Sequence, residues 1–366
     1  MTTPGLYLHV PFCLRKCPYC DFYSRTFEAD LADHYVQALC DVMSSGHFAA
    51  AQKMDSVYFG GGTPSVLGPK RLEKLLWAAQ KAFGLTDNAE ITLEANPATV
   101  TKADFADLRR AGFNRLSVGV QSGVDEELAQ LGRLHTADQA AQAIEDAAAA
   151  GFDNISGDLM LAILGQTMDS MEQSINFLTS LPISHVSAYL LKVEEGTEYH
   201  RRGVVPDEDV CADMYLVSGQ LLEERGFAQY EISSFARPGR ESRHNTKYWR
   251  LAPYLGLGPG AHSFWQGQRF AFGADLKGFI ENPLAMIEQD GPGGGFDEAV
   301  MLGLRLRKGL NRQELEQKYP AQTAEILKKI RPFAEKGLMN ITPERIFLAN
   351  REAFLLSNSI IGAILP

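Results

Sequence analysis

Through the first two-thirds of the chain, short apolar runs alternate with amphipathic helical stretches, and this alternation dictates the fold class. LYLHV is followed by a helical pattern from about Ala29 to Ser45, and DSVYFG by one from about Pro69 to Phe83, with proline at its start. EITLEA, a helix near Lys102 to Ala111, NRLSVGV, helices reaching Ala150, FDNISGDLML, a helix around Met168 to Ser180 and HVSAYLL complete the series. Six strands spaced by helices specify parallel βαβ units rather than an antiparallel meander. The expectation is an α/β fold built on a partial (β/α)6 barrel, whose chemistry gathers at the carboxyl ends of the strands.

The polar residues fall there. Cys13, Cys17 and Cys20 follow strand one, and GGGTPS (Gly60 to Ser65) follows strand two. Glu94 and Asn96 end strand three, Gln121 and Ser122 follow strand four, and Asp158 ends strand five. A glycine triplet alone is most often a turn, and a lone Asp at a strand end most often a helix cap. Five such features on one barrel face point to a shared ligand.

The spacing C-x3-C-x2-C has a specific meaning. Thiolates hold iron–sulfur clusters, and three on one short loop can bind three irons of a [4Fe-4S] cube. The fourth iron then lacks a protein ligand, the way a site keeps a position open for a reactant. A zinc ion would need a fourth ligand nearby; the next histidine is His34, and no second CxxC follows. Cys40 and Cys211 lie in helical patterns and read as packing residues. Five cysteines with three on one loop leave no disulfide framework, so a reducing cytoplasm is expected.

Beyond about Asp207 the alternation loosens into a helix to Arg225, then YEISSFA and a polar turn, RPGRESRHNTKYW. LGLGPGAHSF is glycine-rich, and GPGGG (Gly291 to Gly295) reads as a hinge or linker. Helical patterns over Glu298 to Arg307, Arg312 to Lys318 and Ala321 to Lys336 precede two short strands, LMNITP and RIFLAN, and a final helix near Asn358. That order predicts a small C-terminal α+β module, winged-helix-like, in a packing or lid role. The expected division is 1–206 for the barrel, 207–290 for its extension and 291–366 for the module. A net charge of −10 argues against general nucleic-acid affinity. No apolar run approaches the ~20 residues of a membrane span, and MTTPGLYLHV lacks the pattern of a signal peptide.

LYLHVPFC, GGGTPS, EANP, GVQS with LGRLH downstream, DLM with GQT, HNTKYW, GLGPGAHS and LSNSII occur in that order. Together they resemble the radical S-adenosylmethionine (SAM) superfamily, in the branch that holds oxygen-independent coproporphyrinogen oxidase and haem-chaperone relatives. The resemblance implies a [4Fe-4S] cluster on Cys13, Cys17 and Cys20, with SAM on the open iron through its amino and carboxylate groups. Gly61, Gly62 and Thr63 would bind that amino-acid moiety, Glu94 a polar SAM group, and Tyr7 would line the adenosyl side. Gln121, Arg133 and Asp158 match positions associated with a second SAM, and the Arg133 guanidinium suits a carboxylate. Alone, Arg133 would read as a surface ion pair and Gln121 as a strand-end hydrogen bond.

Two departures separate the branch's members. The oxidase carries a further cysteine two residues after the third cluster cysteine, where this chain has Phe22, and an arm before strand one. The motif His244-Asn245-Thr246-Lys247-Tyr248-Trp249 matches the HNxxYW pattern associated with haem binding, with His244 as axial ligand; from six residues alone it would be a capped turn. His262 reads as a structural or pocket-lining residue. The family's D-L-(I/M)-Y-G-L-P-G-Q-T is here Asp158-Leu-Met-Leu-Ala-Ile-Leu-Gly-Gln-Thr167, so backbone freedom changes after strand five.

The resemblance thus implies haem capture and delivery to a haem-accepting protein, with an electron donor for the cluster, no coproporphyrinogen oxidase activity and any membrane contact made through a partner. The alternative is a radical SAM enzyme acting on a tetrapyrrole: coproporphyrinogen oxidase or a haem-modifying relative, generating a 5′-deoxyadenosyl radical.

Overall fold

The computed structural model describes residues 2–365. Six strands run parallel in chain order: β1 (Gly5–Val10), β2 (Met54–Gly61), β3 (Leu85–Ala95), β4 (Arg115–Gln121), β5 (Ile155–Leu161) and β6 (His185–Leu190). Between them lie α1 (Ala29–Ser44), α2 (Gly68–Phe83), α3 (Lys102–Ala111), α4 (Asp125–Gln130), α5 (Ala137–Ala149) and α6 (Met168–Thr179). The helix starts follow from local chemistry: Thr101, Thr136 and Thr167 each form a capping box with the third helical residue.

Alternation along each strand sorts the sheet's two faces. Leu6 and Leu8 of β1, Val57 and Phe59 of β2, and Leu116 and Val118 of β4 are buried in the main core. There they meet Tyr35 and Leu39 of α1, Leu72 and Leu75 of α2 and Phe105 of α3. At about 25 cal/mol per Å² of apolar surface, this outer layer supplies the main driving force for wrapping helices around the sheet. The alternate residues turn inward and are polar.

The sheet does not close. β7 (Ala228–Gln229) and β8 (Ser234–Ala236) extend it antiparallel beyond β6. At the other edge β9 (Tyr254–Leu257) pairs parallel with β1, and β10 (His262–Trp265), β11 (Gln268–Phe272) and β12 (Ile287–Pro292) follow antiparallel. The result is one twelve-stranded open barrel.

Two readings of this region are corrected. HNTKYW is not part of a polar turn but lies in a helix, Arg243–Trp249, capped by the Ser242 side chain. The Glu90 carboxylate on β3 also accepts hydrogen bonds from the backbone N–H groups of Arg243 and His244, a tertiary cap no local pattern reveals. Gly291 and Pro292 end β12 instead of forming a hinge, and only Gly293–Gly295 remain as a loop. Pro292 is tolerated because β12 is the edge strand.

The C-terminal module has the expected order: helix Phe296–Gly303, β13 (Leu310–Asn311), helices Arg312–Lys318 and Pro320–Glu335, β14 (Met339–Ile341), β15 (Arg345–Leu348), then two short helices. Its own core, including Leu304, Ile330, Ile346 and Phe354, also takes in Tyr215 from the helix Glu208–Glu224. No helix among the described residues is long and apolar enough to cross a membrane.

Candidate functional site

The inward residues of the six parallel strands make a polar lumen, which is tolerable only because its groups pair. Tyr58 donates from its hydroxyl to Glu94 Oε1 at 2.8 Å. Ser117 donates to the two oxygens of Asp158 at 3.1 and 3.2 Å, and Tyr189 to Gln121 Oε1 at 2.8 Å. Tyr7 is hydrogen-bonded to His9 Nδ1 at 3.0 Å, with its ring 6.2 Å from that of Tyr58. Burial pushes the Glu94 carboxyl up to about 7, and the nearby Asp158 charge adds to the effect. Asp158 is pushed up to about 6, again by burial, against the lowering effect of its serine hydrogen bonds.

The cysteine loop sits over one end of this lumen. It is stapled by a short parallel pairing of Phe12–Cys13 with Arg25–Thr26, and Phe27 N–H donates to the Cys13 carbonyl at 2.9 Å. Cys13, Cys17 and Cys20 are half-buried, and burial pushes the Cys20 thiol up to about 11. Among the described residues no three His, Cys, Asp or Glu side chains converge on a single ion. Cys40 and Cys211 lie in helices away from the loop.

The Gly60–Thr63 segment shows why three glycines are needed. A Cβ at Gly60 would stand 2.9 Å from Tyr7 and 3.2 Å from Glu94 Oε1. Gly61 has φ +112°, and a Cβ there would meet the His9 ring at 2.7 Å. At Gly62 it would lie 2.6 Å from the Phe12 carbonyl and 3.1 Å from Cys13 Sγ. Thr63 closes the contact, donating from its hydroxyl to Cys13 Sγ at 3.4 Å.

Arg133, Gln121 and Asp158, expected at a second SAM position, open on the same lumen as Glu94. Arg133 donates to Cys17 Sγ at 3.8 Å and to the Gly119 carbonyl at 2.9 Å. Its buried Nε has no partner among the described residues. Three thiols on one loop, glycine backbone against Cys13 and a guanidinium with an unspent N–H form a donor set that fits a thiolate-held cluster and an amino-acid ligand beside it.

The altered segment after β5 keeps a glycine-like backbone without the glycine. Ala162 has φ +56°, and the turn is held by Gln166, whose Nε2 donates to Glu127 Oε2 at 3.0 Å.

His244 is placed otherwise than expected. It is 0% exposed, with Nδ1 2.9 Å from Ser56 Oγ and Nε2 2.9 Å from the Tyr248 hydroxyl. Its ring stacks at 5.3 Å on Tyr58, and burial holds it neutral, pushed down to about 3. Both nitrogens are spent, so an axial role does not fit this placement. His244 instead supports Tyr58, which holds Glu94.

Sequence reading does not single out Tyr58, Ser117, Tyr189 or His9. The alternation within DSVYFG and RLSVGVQ marks the first two, since they share parity with Gly60 and Gln121.

Residues 7–178 match the radical SAM superfamily, and residues 297–355 match the HemN C-terminal domain. The protein named heme chaperone HemW of Mycobacterium tuberculosis is 36% identical over 99% of this chain and 94% of its own length. The HemW of Bacillus subtilis is 33% identical over 98% of each chain. The chain belongs to the HemW family of the radical SAM superfamily. The HemW of Escherichia coli is 39% identical over 70% of this chain and 69% of its own. The solved coproporphyrinogen III oxidase (HemN) of E. coli superposes with a TM-score of 0.86 over 99% of this chain and 90% of that one. At 22% identity it speaks to the fold alone. Membership brings with it a [4Fe-4S] cluster and SAM, in accord with the donor set above.

Proposed function

We propose that this protein is a haem chaperone of the HemW type, which binds haem and passes it to an acceptor protein. The observation that carries the reading is the match along almost the whole chain to proteins named heme chaperone HemW. Phe22, standing where the oxidase has its further cysteine and 62% exposed, supports it.

When bound, the cluster supplies an iron open to the amino-acid group of SAM and a one-electron couple for which a donor is required. The chain's own residues do the positioning. Glu94, held by Tyr58, would accept hydrogen bonds from the SAM amino group once its carboxyl is ionised. Arg133, anchored on the Gly119 carbonyl, takes the carboxylate with its free N–H. The glycines let SAM lie against backbone, Tyr7 lines the adenosyl side, and Gln121 and Asp158 offer polar groups deeper in the lumen. In this reading the sites formed by Cys13, Cys17, Cys20, Glu94 and Arg133, when occupied, would set when haem is taken up or passed on.

The test is anaerobic reconstitution with iron and sulfide, then haem titration and a coproporphyrinogen assay on one sample. Haem binding near one per chain without decarboxylation is expected. Catalytic conversion of coproporphyrinogen by a sample that ignores haem would favour the oxidase reading.

A further inference from the structure

A groove of about 560 Å³ runs over the outer surface of the barrel between α1 and α2. Gln37, Cys40 and Asp41 form one wall and Lys74, Trp77 and Lys81 the other. Both helices lead from the carboxyl end of one parallel strand back to the amino end of the next, and these residues belong to their later turns. The groove therefore lies toward the end of the barrel opposite the cysteine loop, the end that in such barrels carries stability rather than chemistry. Nothing in cluster or SAM binding calls on it.

Side-chain size explains why the space exists. On their inner faces the two helices fill the main core with Leu39 and Val42 of α1 and Leu72, Leu75 and Ala79 of α2. On the outer side the groove is lined by small residues, Ser44 and Gly46 at the end of α1 and Ala78 and Ala82 on α2. They leave a channel beneath the long side chains of the α2 wall.

That wall is basic and aromatic. In a chain of net charge −10, α2 carries Lys70, Arg71, Lys74 and Lys81 against one carboxylate, Glu73. Lys70, Lys74, Trp77 and Lys81 are spaced by four, three and four residues, so they share one helix face. All four are exposed, Trp77 to 63%. Arg71 is paired with Asp33, whereas Lys70, Lys74 and Lys81 form no ion pair among the described residues. Lys74 donates to Gln37 Oε1 at 2.8 Å, and Gln37 donates from Nε2 to Asp41 Oδ1 at 2.8 Å, which engages the one carboxylate lining the groove. The Lys81 ammonium lies 5.4 Å from the centre of the Trp77 ring. In the free protein this arrangement leaves an indole in water and sets Lys70 against Lys74 at a repulsive spacing. A segment bearing carboxylates and an apolar side chain relieves both.

The shape selects the kind of occupant. A bilayer is flat, and a helix that lies in one turns a broad apolar face to it; the apolar face of α2 is already buried in the core. A concave channel between two helices suits a peptide segment instead. A second copy is disfavoured by charge, since two chains of −10 repel.

We propose that the α1–α2 groove docks an acidic segment of a partner protein, its apolar side chain against Trp77 and its carboxylates on Lys74 and Lys81. The proposal stands on the groove alone and is independent of the haem-chaperone reading.

The test is selection of phage-displayed random peptides of about twelve residues on full-length, cluster-loaded protein, followed by titration of the synthesised winners. Trp77 emission, taken as the difference between wild type and Trp77→Phe, reports occupancy of the groove. The winners should combine several Asp or Glu with a large apolar residue, shift that emission, and bind severalfold more weakly in about 300 mM than in about 50 mM salt. Lys74→Glu with Lys81→Glu should weaken binding by roughly tenfold or more, and Trp77→Ala by about as much. Lys328→Glu, a charge reversal in the C-terminal module, should leave it unchanged. Retained cluster absorption reports an intact fold in each variant. Winners without acidic residues, no winners at all, or full affinity in the double variant would overturn the proposal. So would binding to phosphatidylglycerol vesicles that the double variant abolishes, which would assign the stripe to a lipid surface. Dimers in sedimentation that Trp77→Ala dissolves would give the groove to a second copy and overturn it equally.

Discussion

Glu94 couples SAM binding to pH in a way that can be worked through. Its carboxyl is moved from 4.5 to about 7, chiefly by burial. Ionising such a group in the folded state costs roughly 3 kcal/mol relative to the unfolded chain. The sign follows from the raised value: the folded state holds the proton more tightly than the unfolded one. The protonated carboxyl therefore costs nothing below about pH 4.5, and stability is lost as pH climbs from there through about 7. Glu94→Gln keeps an acceptor oxygen for Tyr58 and removes the titration. Without SAM, the variant's stability advantage over wild type should grow by about 2.5 kcal/mol between pH 5 and pH 8. Urea unfolding of both proteins, in the same cluster state at each pH, measures it. The same variant should bind SAM poorly at every pH, while wild-type SAM affinity falls about fivefold from pH 7 to pH 6 as the ionised fraction of Glu94 drops. A stability difference that does not vary with pH would refute the argument, because the buried charge would then not be the cause.

Other outcomes follow from particular contacts. Cys17→Ser should lose the cluster's iron content and visible absorption, whereas Cys40→Ser and Cys211→Ser should keep both. His244→Ala should cost about 2–4 kcal/mol of stability by stranding the Ser56 and Tyr248 hydroxyls, with the haem spectrum retained. Ala162→Gly should stabilise the protein by roughly 0.5–1 kcal/mol, since relief of a left-handed alanine exceeds glycine's entropy cost; chemical denaturation would show it.

The barrel was legible because the strands announce themselves by apolar residues at alternate positions, and α3, α5 and α6 by a capping threonine. The cysteine loop and the glycine triplet were legible because their chemistry is local. What escaped is tertiary. The helix under HNTKYW depends on a carboxylate from Glu90, more than 150 residues earlier. The burial of His244 depends on Ser56 and Tyr58, which the packing of the Arg243–Trp249 helix against β2 brings near. The hairpin from β10 to β11 did carry a signal, Gln266-Gly267, both with positive φ. Gly291 and Pro292 looked like a break because an edge strand tolerates the same residues as a linker.

The central claim is that haem is this protein's cargo, and the most direct measurement is the rate at which haem leaves the loaded, cluster-containing protein. An apo-globin in excess reports passive dissociation; haem-depleted membranes of the same organism supply native acceptors. The account predicts haem loss that accelerates with the amount of native acceptor, beyond the passive rate, and that changes when SAM is added. Loss at one rate whatever the acceptor would mean that haem is merely bound and released, and would contradict the chaperone function.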